Sequence, residues 1–327
     1  MTMKELARLA GVSPAAVSRY LNGGSLSQEK QDVIRAAIEK TGYRPDVAAQ
    51  TLRTRTTDLV GLIVPKLDSE SVSRVAAGAA EVLAREGYLC QIAVSQNDPE
   101  RELSLLNLFR NRSMAGIILM ATICDAAHED LLRSFPVPVV VTGQKYRQVS
   151  CIYHDDFGAA QDLTRLVLKR GRKRPVFIGA TEQDAAAGLA RRQGVQAALQ
   201  EAGLDPELPR ELSGFDIAEG RAAMERVLEA CPALDAVICA TDRMAFGAME
   251  ALRNAGRRIP EDVSIVGIGD SWACRHIVPN LTTAHFYYRT CGESAARLLL
   301  DRIQRRNASA PVQQVMLSYT IQERASV

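Results

Sequence analysis

Much that would mark an enzyme or an exported protein is missing from this chain. Aromatic residues make up 5% of 327 positions, with one tryptophan. No stretch approaches the roughly 18 uninterrupted apolar residues that a membrane span needs. The first ten residues mix charge with apolar side chains and lack the apolar core of a secretory signal. The 7 cysteines, Cys90, Cys124, Cys151, Cys231, Cys239, Cys274 and Cys291, are odd in number and nowhere spaced as CxxC. Neither a disulfide framework nor a structural zinc site is expected from them. The four histidines form no HExxH, and neither a GxSxG nor a Walker loop occurs. Ile265-Val266-Gly267-Ile268-Gly269-Asp270 follows an apolar run, but the third glycine of a dinucleotide fingerprint would have to fall on Trp272. Charge of neither sign dominates, with 40 Lys and Arg against 38 Asp and Glu. The expectation is a soluble, cytoplasmic chain of two or three domains that uses no cofactor, no metal and no membrane, and is not an enzyme.

What charge there is lies unevenly. Residues 1–58 carry nine basic and six acidic side chains, whereas the rest is nearly neutral. A small basic unit ahead of a large neutral body hints at a polyanionic partner. Thr2 and Glu5 have the spacing of a capping box for a first helix with an apolar stripe at Leu6, Leu9 and Ala10, and Gly11 ends it. Val12 is read as the buried residue of a tight turn. Ser13 caps a second helix, with Pro14 at its first position, ending at Asn22-Gly23-Gly24. A third helix runs from a cap at Ser27 to Lys40, with Val33, Ile34, Ala37 and Ile38 as its stripe. Two short helices joined by a tight glycine-containing turn make a helix-turn-helix. Its second helix fits the major groove of DNA. Pro14, Ala15, Ser18 and Arg19 would face the bases and phosphates, Arg19 as a donor to guanine or phosphate.

The run from Met3 to Asn22, with Ala10-Gly11-Val12-Ser13 and Val17-Ser18-Arg19-Tyr20-Leu21-Asn22, followed by Gly42-Tyr43-Arg44-Pro45, resembles the headpiece of the lactose/galactose repressor family of bacterial transcription factors. That resemblance divides the chain into a headpiece at 1–44, a hinge helix at 45–57 and a two-lobed effector-binding and dimerisation body at 58–327. The segment from Pro45 to Arg53 is too short to hold a helix alone. The family's hinge helix orders on DNA, and its leucine wedges into the minor groove, a position that Leu52 occupies here. The DNA-contacting set implied is Ser13, Pro14, Ala15, Ser18, Arg19, Asn22, Tyr43, Ala49, Leu52 and Arg53.

Beyond Leu59, apolar runs at 59–64, 89–94, 116–120, 137–141, 176–178, 236–239 and 264–268 alternate with helical stretches. Buried apolar strands joined by helices make parallel α/β sheets. Their number suggests two lobes breaking near 150–156, and 315–321 reads as one last strand. The family resemblance implies a periplasmic-binding-protein-like body with its ligand between the lobes at the strand ends. Lys66, Ser69, Asp155, Arg191, Thr241, Asp270, Trp272 and Tyr288 are the effector residues it suggests. Asp242 is read equally as a helix cap, and Arg192 as a surface ion pair. Many family members place an aspartate after Val-Gly-Tyr. Here the row reads Val266-Gly267-Ile268-Gly269-Asp270, so either Gly269 leaves that role empty or Asp270 takes it with a shifted backbone. Lys66-Leu67-Asp68-Ser69, Tyr153-His154-Asp155-Asp156-Phe157-Gly158-Ala159 and Cys239-Ala240-Thr241-Asp242 are similar to trehalose-operon repressors. That likeness implies a disaccharide effector such as trehalose, trehalose 6-phosphate or sucrose, with Lys66 on the phosphate; a purine or other small metabolite is the alternative. The partners implied are double-stranded operator DNA, associated with the nucleoid when bound, a sugar and a second copy of the chain. The alternative function is a sugar-binding or sugar-processing protein whose leading helices are structural.

Overall fold

The structure is a computed structural model that describes residues 1–21, 24–43, 57–123, 125–305 and 311–327. It separates into two units, Met1–Thr57 and Asp58–Val327. The hinge helix expected from residue 45, with Ala49, Leu52 and Arg53, lies outside the described residues, as does Asn22.

The first unit consists of α1 (Met3–Leu9), α2 (Pro14–Leu21) and α3 (Gln28–Thr41). Thr2 and Glu5 form the reciprocal cap that their spacing announces: Glu5 N donates to Thr2 Oγ1 at 3.3 Å and Thr2 N to Glu5 Oε2 at 2.7 Å. Gly11 takes φ +66°, open to a residue without Cβ, and turns the chain into α2. Leu6, Ala7, Val17, Ile34, Ala37 and Tyr43 form the core. Leu9 and Val33, expected in the buried stripes, are 52% and 40% exposed, and Val12 is only half-buried. Three short helices enclose too little volume to take in every apolar side chain.

The second unit runs β1 (Leu59–Val64), α4 (Glu70–Arg85), β2 (Leu89–Val94), α5 (Pro99–Arg110), β3 (Gly116–Met120), α6 (Ala126–Arg133), β4 (Val139–Thr142), β5 (Ser150–His154), α7 (Asp156–Lys169), β6 (Pro175–Gly179), a π-helical turn (Ala185–Ala190), α8 (Arg191–Glu201), β7 (Arg210–Leu212), α9 (Ile217–Ala230), β8 (Ala236–Cys239), α10 (Asp242–Asn254), β9 (Ser264–Ile268), β10 (Thr282–Phe286), α11 (Tyr288–Arg305), β11 (Gln314–Leu317) and β12 (Tyr319–Gln322). The strands make two sheets, ordered β11-β5-β4-β3-β1-β2 and β12-β10-β9-β8-β6-β7. Pairing is parallel except between β10 and β12. Helices cover both faces, which is why β1, β3, β6, β8 and β9 are almost wholly apolar runs. Both lobes reverse their strand order at their first strand, and such switch points open a crevice at the carboxyl ends of the strands.

The chain passes between the lobes three times. It crosses first at Asp155, within the expected 150–156 break. It returns at Tyr287, so that α11 packs on α4 of the first lobe, and it crosses again at Ser318. The single last strand expected at 315–321 is therefore two strands in different sheets. Alternation of apolar residues runs unbroken through Ser318 and carries no sign of a change of sheet. β5, β7 and β10 also escape a search for apolar runs, since β10 reads Thr-Thr-Ala-His-Phe and β7 has three residues.

The contact of α4 with α11 is close because glycines meet there: a Cβ on Gly292 would stand 1.9 Å from the Val75 carbonyl oxygen. Around them Val75, Ala79, Leu83, Ala295 and Leu299 fill the first-lobe core. Gly292→Ala should separate the helices and lower unfolding stability by about 2 kcal/mol, read by denaturant titration; an unchanged midpoint would show that the crossing is slack.

Candidate functional site

The strand ends of both lobes converge on a cavity of about 230 Å³. Lys66, Ser69, Arg191, Thr241 and Tyr288 line it together, so five of the eight side chains expected at an effector share one surface. Lys66 follows β1 and Ser69 stands at the N-terminus of α4. Thr241 caps α10, its Oγ1 accepting from Met244 N at 3.3 Å. Arg191 opens α8, delivered by the π-helical turn that Asp184 caps through the amides of Ala186 and Ala187, at 3.1 and 2.9 Å.

Arg191 is 6% exposed. Its Nε and Nη2 reach Asp156 Oδ1 at 2.8 and 2.7 Å, and Nη1 donates to the Ala240 carbonyl. The guanidinium also stands 5.3 Å from the centre of the Phe286 ring. Burial pushes the Asp156 carboxyl up, and the guanidinium beside it opposes that. The Tyr288 hydroxyl is raised by burial, against the hydrogen bond and charge of Arg191.

Three expected residues lie elsewhere. Asp155 caps α7, with Oδ1 accepting from Gly158 N at 2.9 Å, and the cavity is lined instead by Asp156, one residue on. The strand gives way to helix between them, so successive side chains turn to different surroundings. Asp270 is bonded away from the cavity: Arg324 at 2.5 Å on Oδ1, His285 Nδ1 at 2.9 Å and Arg275 at 3.1 Å on Oδ2. Two guanidiniums and an imidazole outcompete a neutral hydroxyl for that carboxylate. Gly269, at the same turn, lines the cavity without a side chain. Trp272 is 66% exposed, its ring tilted on His276 at 5.7 Å. What it supplies is a backbone N–H, which donates to the Glu70 carboxylate of the first lobe at 3.0 and 3.2 Å.

Other contacts join the lobes. Gln144 Nε2 donates to Thr122 O of its own lobe at 3.0 Å and to Asp184 Oδ1 of the other at 2.8 Å. Arg243 donates to Asp68 O at 2.9 Å, and Arg74 to Asp270 O at 3.3 Å. Sequence reasoning did not find Gln144, Asp184, Arg74 or Arg243. The cap in Asp184-Ala185-Ala186 was readable; Gln144 has no local signature. Asp242 is not the cap of α10 but its first residue, buried with Thr283 Oγ1 at 2.5 Å and Ser271 N at 2.8 Å on its carboxylate, which burial pushes up. Arg192 pairs with Glu182 at 3.2 Å, 18% and 39% exposed.

In the first unit, Pro14, Ala15 and Arg19 occupy the exposed side of α2, opposite the buried Ala16 and Val17, with Ser18 half-buried at the edge. Ser13 starts the helix, its Oγ accepting from Ala16 N at 3.2 Å. Tyr43, expected at the DNA, is 9% exposed and belongs to the core of the helical bundle with Leu6 and Ile34.

Comparison with known proteins agrees with both parts. The family model for bacterial regulatory proteins of the lacI family matches residues 2–46, and that for a periplasmic binding protein-like domain matches residues 164–327. The chain is 33% identical to the HTH-type transcriptional regulator CelR of Thermobifida fusca over 313 residues, covering 92% of each. It is 30% identical to the sucrose operon repressor of Staphylococcus xylosus over 300 residues, 92% of this chain and 93% of that one. A solved complex of the transcriptional regulator CelR with cellobiose superposes with a TM-score of 0.76 at 29% identity, covering 100% of both chains. The chain belongs to the LacI family: it is a ligand-responsive transcriptional regulator with a helix-turn-helix DNA-binding domain, not an enzyme. No helix among the described residues is long and apolar enough to cross a membrane.

The Asp270 cluster generates a test. Despite burial, Arg324, His285 and Arg275 hold its carboxyl below the ordinary carboxylate range. A depressed folded-state value contributes stability that is present above the unfolded value, near 3.9, and is lost as pH falls through the folded one. Asp270→Asn should therefore cost about 3 kcal/mol at neutral pH and flatten the acid limb of stability below about pH 4. Equal acid limbs for wild type and variant would remove Asp270 from this account.

Proposed function

We propose that this regulator represses transcription as a homodimer on a palindromic operator and that a disaccharide, held between the lobes, controls its grip. The observation that carries the sugar reading is the cavity itself, where Lys66, Ser69, Arg191, Thr241 and Tyr288 meet at the strand ends of both lobes. Sugar hydroxyls call for such a ring of polar groups beside an aromatic face. The relatives support the same class of ligand, one being a sucrose operon repressor and another a regulator solved with cellobiose.

A phosphorylated disaccharide fits the mouth of the cavity. Lys66 is half-buried, its Nζ 5.7 Å from the centre of the Phe215 ring, and its ammonium is pushed down by burial and by Arg243. Two cations held near one another beside the N-terminus of α4 attract an anion. Lys66 is the phosphate residue on this reading, and trehalose 6-phosphate the first candidate.

On DNA, Pro14, Ala15, Ser18 and Arg19 read the major groove, and Leu52 wedges into the minor groove beside Ala49 and Arg53. The ligand acts by binding the two arrangements of the lobes unequally, typically worth about 1–3 kcal/mol of coupling, and so shifts the spacing of two hinge segments in a dimer.

Two experiments test this. Thermal unfolding with sucrose, cellobiose, trehalose and trehalose 6-phosphate should show a rise of about 5 °C for one of them near 100-fold over its Kd, with Lys66→Ala selectively losing the phosphorylated sugar. No response to any disaccharide would remove the sugar reading. Gel shifts on promoter fragments from around its own gene should show salt-sensitive binding, weakened about tenfold or more by Arg19→Ala and also reduced by Leu52→Ala. Binding unchanged by Leu52→Ala would rule out the wedge.

A further inference from the structure

His154 ends β5, immediately before the first crossing between the lobes, and it lines the cavity. Its ring stacks on Phe286 with centroids 4.6 Å apart and planes 3° apart, and meets Tyr288 edge-on at 5.1 Å. Phe286 and Tyr288 flank the second crossing, so the imidazole is clamped where two inter-lobe connections run side by side. The residue is 7% exposed. One ring nitrogen bonds to the backbone of Tyr287, in the sense that favours a proton on the ring, while Nε2 is buried without a partner. The bonded atom is therefore Nδ1, donating to a carbonyl, and Nε2 is left with a bare lone pair. Burial, and next the charge of Arg191, push the ring down to about 4, so it is neutral near pH 7, and with Nδ1 as the donor its one proton sits there.

The surrounding carboxylates are already engaged. Asp156 is taken by Arg191, Asp184 by Gln144 and two amides, Asp242 by Thr283 and Ser271, and Glu70 by Arg74 and the Trp272 amide. Against a wall rich in guanidinium and ammonium donors, the His154 Nε2 is a buried acceptor left unspoken for. A buried acceptor without a partner costs about 1–3 kcal/mol, a penalty that a ligand relieves only by bringing a donor. We propose that His154 selects the effector by accepting, at Nε2, a hydrogen bond from one sugar hydroxyl. An ether, a deoxy position or a carboxylate at the same place brings no proton and is rejected. This rests on the sugar reading above and adds to it a specificity residue and the chemistry that it requires.

The test uses the full-length chain. Nitrogen NMR of histidine-labelled protein without ligand should show Nδ1 protonated and Nε2 bare for His154 from about pH 5 upward, given a ring pushed to about 4. Titration calorimetry with sucrose, cellobiose, trehalose and trehalose 6-phosphate then compares wild type with His154→Phe, which keeps the stack, and with His154→Gln, which restores an acceptor. For whichever sugar binds wild type, His154→Phe should weaken binding about tenfold and His154→Gln should recover most of it, with the unfolding midpoint of each variant measured alongside. A proton on Nε2 overturns the inference whatever binds. A sugar that binds wild type and His154→Phe equally overturns it while leaving the sugar reading standing. If none of the four sugars binds wild type, the sugar reading falls and takes the inference with it.

Discussion

Arg191 carries a full charge almost wholly out of water, and it does so only because Asp156, the Ala240 carbonyl and the face of Phe286 surround its guanidinium. Those partners come from the start of α7, the end of β8 and the end of β10. One cation thus ties a helix N-terminus and two strand ends of the second lobe to a common point. Removing one member of such a pair leaves the other buried and uncompensated, typically worth 3–5 kcal/mol. Burial first, and this charge next, hold the His154 ring neutral, and the same charge opposes burial at the Tyr288 hydroxyl.

Around that point the two lobes repeat one topology, and the repetition explains why so many polar side chains meet. Each lobe places its reversal of strand order at the same relative position, and each presents carboxyl strand ends and helix N-termini to the cleft. The three crossings then make the hinge a property of the sheets themselves. Contacts such as Gln144 with Asp184 and Arg243 with Asp68 fasten one arrangement of the lobes with a few polar bonds, each modest in net worth. Bonds of that strength suit a body whose ligand must bias an equilibrium between arrangements rather than build a new one.

The departures from expectation share a cause. The side chains of Asp155, Asp270 and Trp272 stay out of the cavity, although their neighbours Asp156, Gly269 and Ser271 line it. Asp155 caps a helix beside the residue that does reach in. Asp270 lies across a turn with φ +50°, and Arg324, its partner at 2.5 Å, comes from the far end of the chain. Tyr43 shows the reverse: the family resemblance implies a place at the DNA, yet its ring belongs to the core of the small helical bundle.

Local order was legible in the amino-acid sequence because it depends on neighbours three or four positions away. The capping box at Thr2 and Glu5, the proline-led second helix, the apolar strands of a covered parallel sheet and the family motif of the headpiece are all of that kind. Five of the eight expected cavity residues were reached through the family resemblance, since the motifs that carry it are local runs of sequence. The return of α11 to the first lobe, the division of the last strand at Ser318, the pairing of Gln144 with Asp184 and the bare Nε2 of His154 belong to the tertiary structure. They bring together residues 40 or more positions apart, and nothing in a local pattern records which distant partner will claim a carboxylate or leave a nitrogen without one.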